Sequence, residues 1–541
     1  MSEREYKAGY VTSVSGSKVT GVLADAANES ETPSGRSVQI GSLVKVLTPR
    51  SIAFGVVSSL QILNPSSPPL ASDRRVLEVD LFGEALIADD DPEDMDGGFS
   101  FQRGVSVYPA LGSAIYETTY NELSQIYARP RASNIQVGAL HQDRRLPVYA
   151  VTDDLLGKHF AVLGTTGSGK SCAVAVILRA VLRAHPNGHI VVLDPHNEYS
   201  HAFGDTAEVI TPENLRLPHW LLNFEELVEV LCSPPGPGRE AEAAILKSAV
   251  VAAKRNFIGN EEAANFITVD TPYPYQLTSL IQLIEKSMGV LEKAEQSTPY
   301  LRLVARIESL RRDRRFAFMF SGLKVQDTMP EIMSRILRIP VEDKPVTIFD
   351  LSGVPSEIVD VVVSLLCRTI FDFSLWTRRD EAVPVMLVCE ESHRYIPRDR
   401  SAGFEPTRKA ISRIAKEGRK YGVSLCLVTQ RPSELSETIL SQCNTLFALR
   451  MSNDQDQDFV RKALPESALG MLNALTALRN QEAVVVGEGV TLPMRIRFND
   501  LEEHQRPLSD TAMFSLAWED EHQPDHSLVE ETIERWRHQV R

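Results

Sequence analysis

The residues Gly164-Thr165-Thr166-Gly167-Ser168-Gly169-Lys170-Ser171 have the types and spacing of a phosphate-binding loop, G-x-x-x-x-G-K-[ST]. Its glycines let the backbone wind around an anion with the N–H groups turned inward, and a following helix adds its positive end. The motif has meaning only between a strand and a helix. Both flanks are present: the apolar run Phe160-Ala161-Val162-Leu163 precedes it, and a helical stretch from Cys172 to Ala184 follows. Lys170 is spaced to reach the β- and γ-phosphates of a nucleoside triphosphate, and the Ser171 hydroxyl to bind Mg²⁺. The stretch from Gly164 through Cys172 is the cradle.

Such a loop needs acidic groups to hold Mg²⁺ and aim water. Val385-Met386-Leu387-Val388-Cys389 reads as a buried strand ending in Glu390-Glu391. There Glu390 would link to Mg²⁺ through water, and Glu391 would act as general base on the attacking water. The plainer alternative is a pair of solvated glutamates. Asp is the usual first acid, so Glu390 lengthens the reach to the metal. A second strand, Ile190-Val191-Val192-Leu193, delivers Asp194-Pro195-His196-Asn197-Glu198-Tyr199. Either Asp194 and Glu198 sit near the γ-phosphate, or Asp194 makes a turn ahead of a surface loop. A third strand, Leu425-Cys426-Leu427-Val428-Thr429, ends in Gln430-Arg431-Pro432. Either the Gln430 amide contacts water and γ-phosphate together and reports hydrolysis to the domain, or it is a turn-forming polar residue before Pro432.

Basic residues gather in Thr407–Lys420, where Lys409, Arg413, Lys416 and Lys420 form one helical stripe. Such a stripe is usually a solvated face; beside a nucleotide site it is also a candidate for a neighbour's phosphates or a DNA backbone. Arg419, at the helix end, is a candidate arginine finger for an adjacent subunit. Arg311-Arg312-Asp313-Arg314-Arg315 reads as plain surface.

The elements that must position these groups follow from the texture of the chain. Its 541 residues allow roughly two to four domains. A composition of 43% hydrophobic and 24% charged residues is that of a globular protein. The longest apolar runs, such as Val361–Cys367, fall short of a membrane span, and Met-Ser-Glu-Arg-Glu-Tyr lacks a signal-peptide core. No membrane association and a cytoplasmic location are therefore expected. The six cysteines are scattered without a C-x-x-C pair, which points to neither a disulfide framework nor a zinc site; Cys389 and Cys426 read as buried thiols. A net charge of −15 argues against global attraction to nucleic acid, so any DNA contact must be local.

Short β-branched runs (Tyr10–Val14, Lys18–Leu23, Ser42–Leu47, Gly55–Val57) suit a small barrel or sandwich over residues 1–145, with polar loops at Asp25–Gly35 and Ala88–Gly98. From Leu156 strands and helices alternate, as in a parallel sheet covered by helices. The strand candidates are 160–163, 190–193, 346–350, 385–389, 425–429 and 445–450. The fold class is thus α/β, with core segments at 146–203 and 341–500 and a charged helical insertion at 204–340, for example Arg239–Arg255 and Leu277–Glu295. The core closes with strands at Glu482–Val486 and Pro493–Phe498. A polar tail, 501–541, carries a helix at Ser527–Arg541.

Together these residues resemble the HerA-like branch of the HerA/FtsK superfamily of hexameric DNA-pumping ATPases. The likeness rests on His159 before the phosphate loop, Asp194–Tyr199, Phe349-Asp350-Leu351-Ser352-Gly353, Glu390-Glu391-Ser392-His393-Arg394-Tyr395, Gly418-Arg419-Lys420-Tyr421-Gly422 and Thr429-Gln430-Arg431-Pro432. Asn197 stands where the family often has Gly, and Ser392 where Ala is common. The resemblance implies a RecA-like core with an N-terminal β-barrel, assembled as a homo-hexamer with ATP and Mg²⁺ between subunits. It implies Arg419 supplied across each interface, double-stranded DNA in the pore, and a nuclease or other effector docked on the barrel face. The expected function is an ATP-dependent DNA translocase or helicase motor, in DNA end processing or defence against phage. The alternative is a ring scaffold that activates an effector enzyme, with ATP as a switch.

Overall fold

β-Branched and apolar residues alternate with polar ones at the start of the chain, and this alternation curls into a closed barrel. The computed structural model describes residues 6–24, 38–63, 74–86, 99–258, 261–289, 294–320, 325–399, 402–463, 474–508, 518 and 526–538. The loops expected at Asp25–Gly35 and Ala88–Gly98 lie outside the described residues. Strands β1 (Lys7–Ser15), β2 (Lys18–Leu23), β3 (Leu43–Leu47), β4 (Ser51–Ile62), β5 (Arg75–Leu86), β6 (Ser100–Arg103) and β7 (Ala114–Glu117) form one antiparallel sheet. Its order is β2-β1-β7-β3-β4-β5-β6, and β2 also pairs with β5, closing a six-stranded ring. Of barrel and sandwich, the structure is the barrel. The long β5 serves two partners: residues 76–80 pair with β2, and residues 83–86 with β6. Val11, Val19, Val44, Val46, Val57, Leu77, Val79 and Ile115 fill the interior.

The remainder is a RecA-like P-loop α/β core. Its strands are β8 (Asn134–Leu140), β9 (Pro147–Val151), β10 (Phe160–Leu163), β11 (His189–Asp194), β12 (Ala207–Ile210), β13 (Val346–Asp350), β14 (Val385–Cys389), β15 (Val423–Thr429), β16 (Thr445–Ala448), β17 (Glu482–Gly487) and β18 (Met494–Phe498). They form one sheet in the order β12-β13-β11-β14-β15-β10-β16-β17-β18-β8-β9. From β12 to β16 every pairing is parallel, and from β16 to β9 every pairing is antiparallel. The near-continuous apolar character of β10, β14 and β15 follows from burial on both faces. Residue 145 falls in the turn between β8 and β9, both of which belong to this larger sheet. β12 lies in the stretch read as helical insertion and supplies the edge of the sheet.

The two faces carry separate apolar layers. Helices Ser356–Trp376 and Glu405–Tyr421 cover one together with the inserted helices, and helix Lys170–Ala184 covers the other. The insertion contains helices Phe224–Leu231, Arg239–Ile258, Leu277–Met288, Thr298–Arg312 and Met329–Leu337. The helix expected at Leu277–Glu295 ends at Met288 with Gly289 as its cap. A buried charge cluster ties the insertion to the core: Glu226 accepts from Arg368 Nη2 at 3.0 Å and from Ser364 Oγ at 2.8 Å. Arg103 ties the barrel to the core, donating to the carbonyls of Gly487 (3.0 Å), Val490 (2.7 Å) and Thr491. All six cysteines are free thiols, with Cys389 and Cys426 buried within their strands. No helix among the described residues is long and apolar enough to cross a membrane.

Candidate functional site

Parallel register brings four sequence signals to one edge. Leu163 is paired with Thr429, Cys389 with both Leu427 and Leu193, and Asp194 with Asp350. The phosphate loop after β10, the glutamates after β14, the Asp194 loop after β11 and Gln430 after β15 therefore emerge side by side. Carboxyl ends of parallel strands are where α/β sheets place their ligands. β15 lies between β10 and β14, so Gln430 stands between the loop and the acids.

The loop is shaped by Gly167 and Gly169, whose φ angles of 74° and 96° suit glycine, and Gly169 caps helix Lys170–Ala184. It is pinned to its neighbours: Gly164 N donates to Thr429 O (3.3 Å) and Thr165 N to Arg450 O (3.0 Å). Ser168 Oγ donates to Thr165 O at 2.7 Å, and Lys170 Nζ reaches the same carbonyl at 3.2 Å. The Thr166 hydroxyl donates to Gln430 Oε1, and the Ser171 hydroxyl to Glu198 Oε2. Gln430 and Glu198 thus both touch the loop directly.

Asp194 makes a turn and, through it, places two further groups. Its carboxylate accepts from Tyr199 N (2.9 Å) and His196 N (3.2 Å). That turn brings Glu198 to Ser171 and Tyr199 to Glu390, whose Oε2 accepts from the Tyr199 hydroxyl at 3.1 Å. Asn197 has φ 53°, a conformation that Asn tolerates better than most side chains. Glu391 also sits in the left-handed region, at φ 51°, a strained posture of the sort that gathers at functional sites.

Burial dominates the electrostatics. It pushes Glu390 well above the usual carboxylate range, reinforced by Glu198 and Glu391, and raises Glu391 as well. Asp194 is pushed up to about 6 by burial, opposed by its backbone hydrogen bonds. Burial lowers Lys170, against the pull of Glu390, Glu391 and Glu198. The edge thus holds more buried acid than its one lysine balances. Glu391 Oε2 is buried and makes no hydrogen bond.

The other sequence signals divide. His159, at φ 54°, is buried and accepts the Leu425 N–H at Nδ1 (3.0 Å), stitching β10 to β15 away from the loop. The Ser392 hydroxyl donates to Cys389 O (2.6 Å) and accepts from Val428 N (3.1 Å), riveting the acidic turn to β15. Asp350 accepts from Ser352 N at 2.9 Å, a turn contact. Gly422, at φ 76°, ends helix Glu405–Tyr421, and at Gly418 a Cβ would come 2.5 Å from Val423 O. Arg419 is exposed and lies just before β15 begins, at the edge opposite its own phosphate loop. Its field reaches Glu488 there. In the basic stripe Lys409 pairs with Glu225 (3.1 Å) and Arg413 with Asp372 (3.3 Å), while Lys416 and Lys420 are exposed. Arg311 and Arg312 pair with Glu308, and Arg315 with Asp313.

Sequence reasoning missed a cavity of about 260 Å³ beside the loop, lined by Gly169, Cys172, Gln481, Phe498, Asn499 and Arg506 among others. Of the lining outside the phosphate loop only Cys172 stands out in sequence, for its place after Ser171; Gln481, Phe498, Asn499 and Arg506 come from chain more than 300 residues away, which no local pattern signals. Arg450 was also missed, although the apolar run before it pairs in register with β10.

Known proteins are similar to this chain in sequence over most of its length. A family profile described as "Helicase HerA, central domain" matches residues 135–370. The chain is 28% identical over 440 residues to the DNA double-strand break repair helicase HerA of Pyrococcus furiosus, covering 72% of this chain and 74% of that protein. It is 25% identical to the protein of the same name from Sulfolobus acidocaldarius, covering 73% and 74%. Among solved structures it is similar to VirB4 of Thermoanaerobacter pseudethanolicus, with a TM-score of 0.48 at 15% identity over 70% of this chain and 99% of that one.

Proposed function

We propose, from the premise that the chain is a HerA-like P-loop ATPase, that it hydrolyses ATP with Mg²⁺ at this edge and couples turnover to movement along double-stranded DNA. The observation that carries the reading is the convergence of Lys170, Ser171, Glu391 and Gln430 on adjacent strand ends. The residues fit the ligand. The left-handed glycines leave the loop backbone free to cradle phosphates, and a surplus of buried carboxylates faces the one lysine. A hydroxyl backed by carboxylates suits Mg²⁺, which keeps water and phosphate oxygens as most of its ligands. When bound, the metal, held by Ser171 and, through water, by Glu390, would supply charge that neutralises the phosphates.

Lys170, now on the Thr165 carbonyl, would hold the β- and γ-phosphates, and Ser171, now on Glu198, would hold the metal. Glu391, unpaired at Oε2, accepts the proton of the attacking water. Gln430, already bonded to Thr166, carries the state of the loop into β15. The cavity at Cys172, Gln481 and Asn499, beside the loop, would take the nucleoside end. Arg419 cannot serve its own loop from the opposite edge, so its use there requires a second copy; a ring of six identical chains supplies one at every interface. The P. furiosus and S. acidocaldarius relatives are named DNA repair helicases, which supports DNA as the track, and the barrel is the surface for a nuclease or other effector. A cytoplasmic setting, in end processing or phage defence, completes the proposal.

ATP hydrolysis by the purified chain, titrated with linear duplex DNA at rising salt, tests this. Turnover should rise with duplex, and duplex affinity should drop by about 10³-fold or more between low and moderate salt if six or more phosphates are contacted. Turnover that ignores duplex DNA at every salt concentration would instead favour the scaffold with an ATP switch.

A further inference from the structure

Glu391 Oε2 lacks a hydrogen bond even though His393 Nδ1 lies only 3.2 Å away. The nitrogen is already engaged, with Thr429 Oγ1 at 3.0 Å. That hydroxyl accepts the Arg431 N–H at 3.0 Å, which leaves its own hydrogen for the imidazole. Burial holds His393 in the neutral form, where one ring nitrogen donates and the other accepts. Nδ1 therefore accepts from Thr429 only when it carries no proton and donates to Glu391 only when it carries one, so it cannot do both at once.

We propose that His393 is a positioning residue that alternates between Thr429 and Glu391, linking the posture of the general base to the end of β15. This rests on the reading of Glu391 as general base. With the ring proton on Nε2, Nδ1 accepts from Thr429 and the Glu391 carboxylate is unheld, an arrangement that the 3.0 Å contact and the unbonded Oε2 fit. With the proton on Nδ1, the imidazole donates to Glu391 and fixes the carboxylate, and Thr429 is released. The change moves one proton between ring nitrogens through solvent, with no net gain or loss. Thr429 adjoins Gln430, which touches Thr166 of the loop, so occupancy of the loop reaches the base through this ring. The second imidazole near Glu391 is poorly placed to hold the carboxylate, since His196 Nε2 is 3.9 Å from Oε1 and its side chain is 51% exposed.

Steady-state ATP hydrolysis and nucleotide binding by the full chain and by His393→Ala, His393→Asn, Thr429→Val and the His393→Ala/Thr429→Val pair decide the matter. His393→Ala should lower kcat about tenfold or more and leave KM and nucleotide affinity within about twofold, because only the reacting posture is lost. His393→Asn should recover part of that loss, since its amide nitrogen can stand where Nδ1 stood and donate. Thr429→Val should change kcat about threefold or more in the parent but less than about 1.5-fold once the imidazole is gone, the mark of a shared partner. A kcat within about twofold of the parent in His393→Ala, or a Thr429→Val effect equally large without the imidazole, overturns the proposal. If His393→Ala does not fold, the Thr429→Val comparison is made in His393→Asn, whose amide cannot trade donor for acceptor at one atom: the effect should again fall below about 1.5-fold, and an undiminished effect overturns the proposal. A parent that binds ATP without hydrolysing it sinks the general-base reading and this inference together; a working parent with an unaffected His393→Ala sinks this inference alone.

Discussion

Replacing Glu391 by Gln stops turnover while nucleotide binding persists. The side chain keeps its size and its place after β14, but loses the charge that accepts a proton from water. General-base catalysis contributes about 10²–10⁴ in rate, so kcat should fall by at least about 10². Binding should not suffer, because Glu391 is 7% exposed beside Glu390 and Glu198. Removing one of several crowded carboxylates lowers repulsion toward incoming phosphates, so affinity for ATP is expected to be unchanged or tighter. Single-turnover hydrolysis and equilibrium binding on the same preparation separate the two effects. A variant that turns over within tenfold of the parent would remove Glu391 from the chemistry.

Arg419→Ala should cost about 10³ in kcat, the scale of an arginine finger delivered to a transferring phosphoryl group. The geometry makes the prediction unusual. Arg419 is exposed, lies four residues before β15 begins, and occupies the edge of the sheet opposite its own Lys170. Within one chain it has no route to the phosphates. Mixing inactive Arg419→Ala with inactive Glu391→Gln chains should therefore restore part of the activity, because some interfaces then pair an intact arginine with an intact glutamate. The restored fraction should depend on mixing ratio. Activity that fails to return in mixed assemblies of normal size would exclude Arg419 as a trans-acting group.

Much of this site is legible in sequence because its chemistry is local. The phosphate loop, the glutamate pair and Gln430 each sit at the end of an apolar run, and a parallel sheet places such ends together without further information. β10, β13 and β14 have the limits the sequence runs announce; in β10 and β14 burial on both faces demands unbroken hydrophobicity. What is not legible depends on closure and return. The β2–β5 pairing that makes the barrel joins residues more than fifty apart, and either a barrel or a sandwich satisfies the same alternation. β8 and β9 carry strand texture but no mark of the sheet they join; β18, the partner of β8, lies near the other end of the chain. β12 is four residues long and hidden in helical surroundings. The place of Glu198 stays open in sequence because its contact with Ser171 depends on the turn that Asp194 makes, with Asn197 in a left-handed conformation no pattern announces. The partners of the basic stripe are not legible for a related reason: Lys409 and Arg413 pair with Glu225 and Asp372 from other elements, at an exposed surface.

Every step above requires the loop after β10 to hold the triphosphate. Titration of Lys170→Ala with ATP and Mg²⁺, alongside the parent and with folding checked by circular dichroism, asks this directly. Loss of a charge-assisted contact to phosphate should weaken binding by about 10- to 100-fold and abolish measurable hydrolysis. A Lys170→Ala chain that binds and turns over ATP as the parent does would contradict the account at its root.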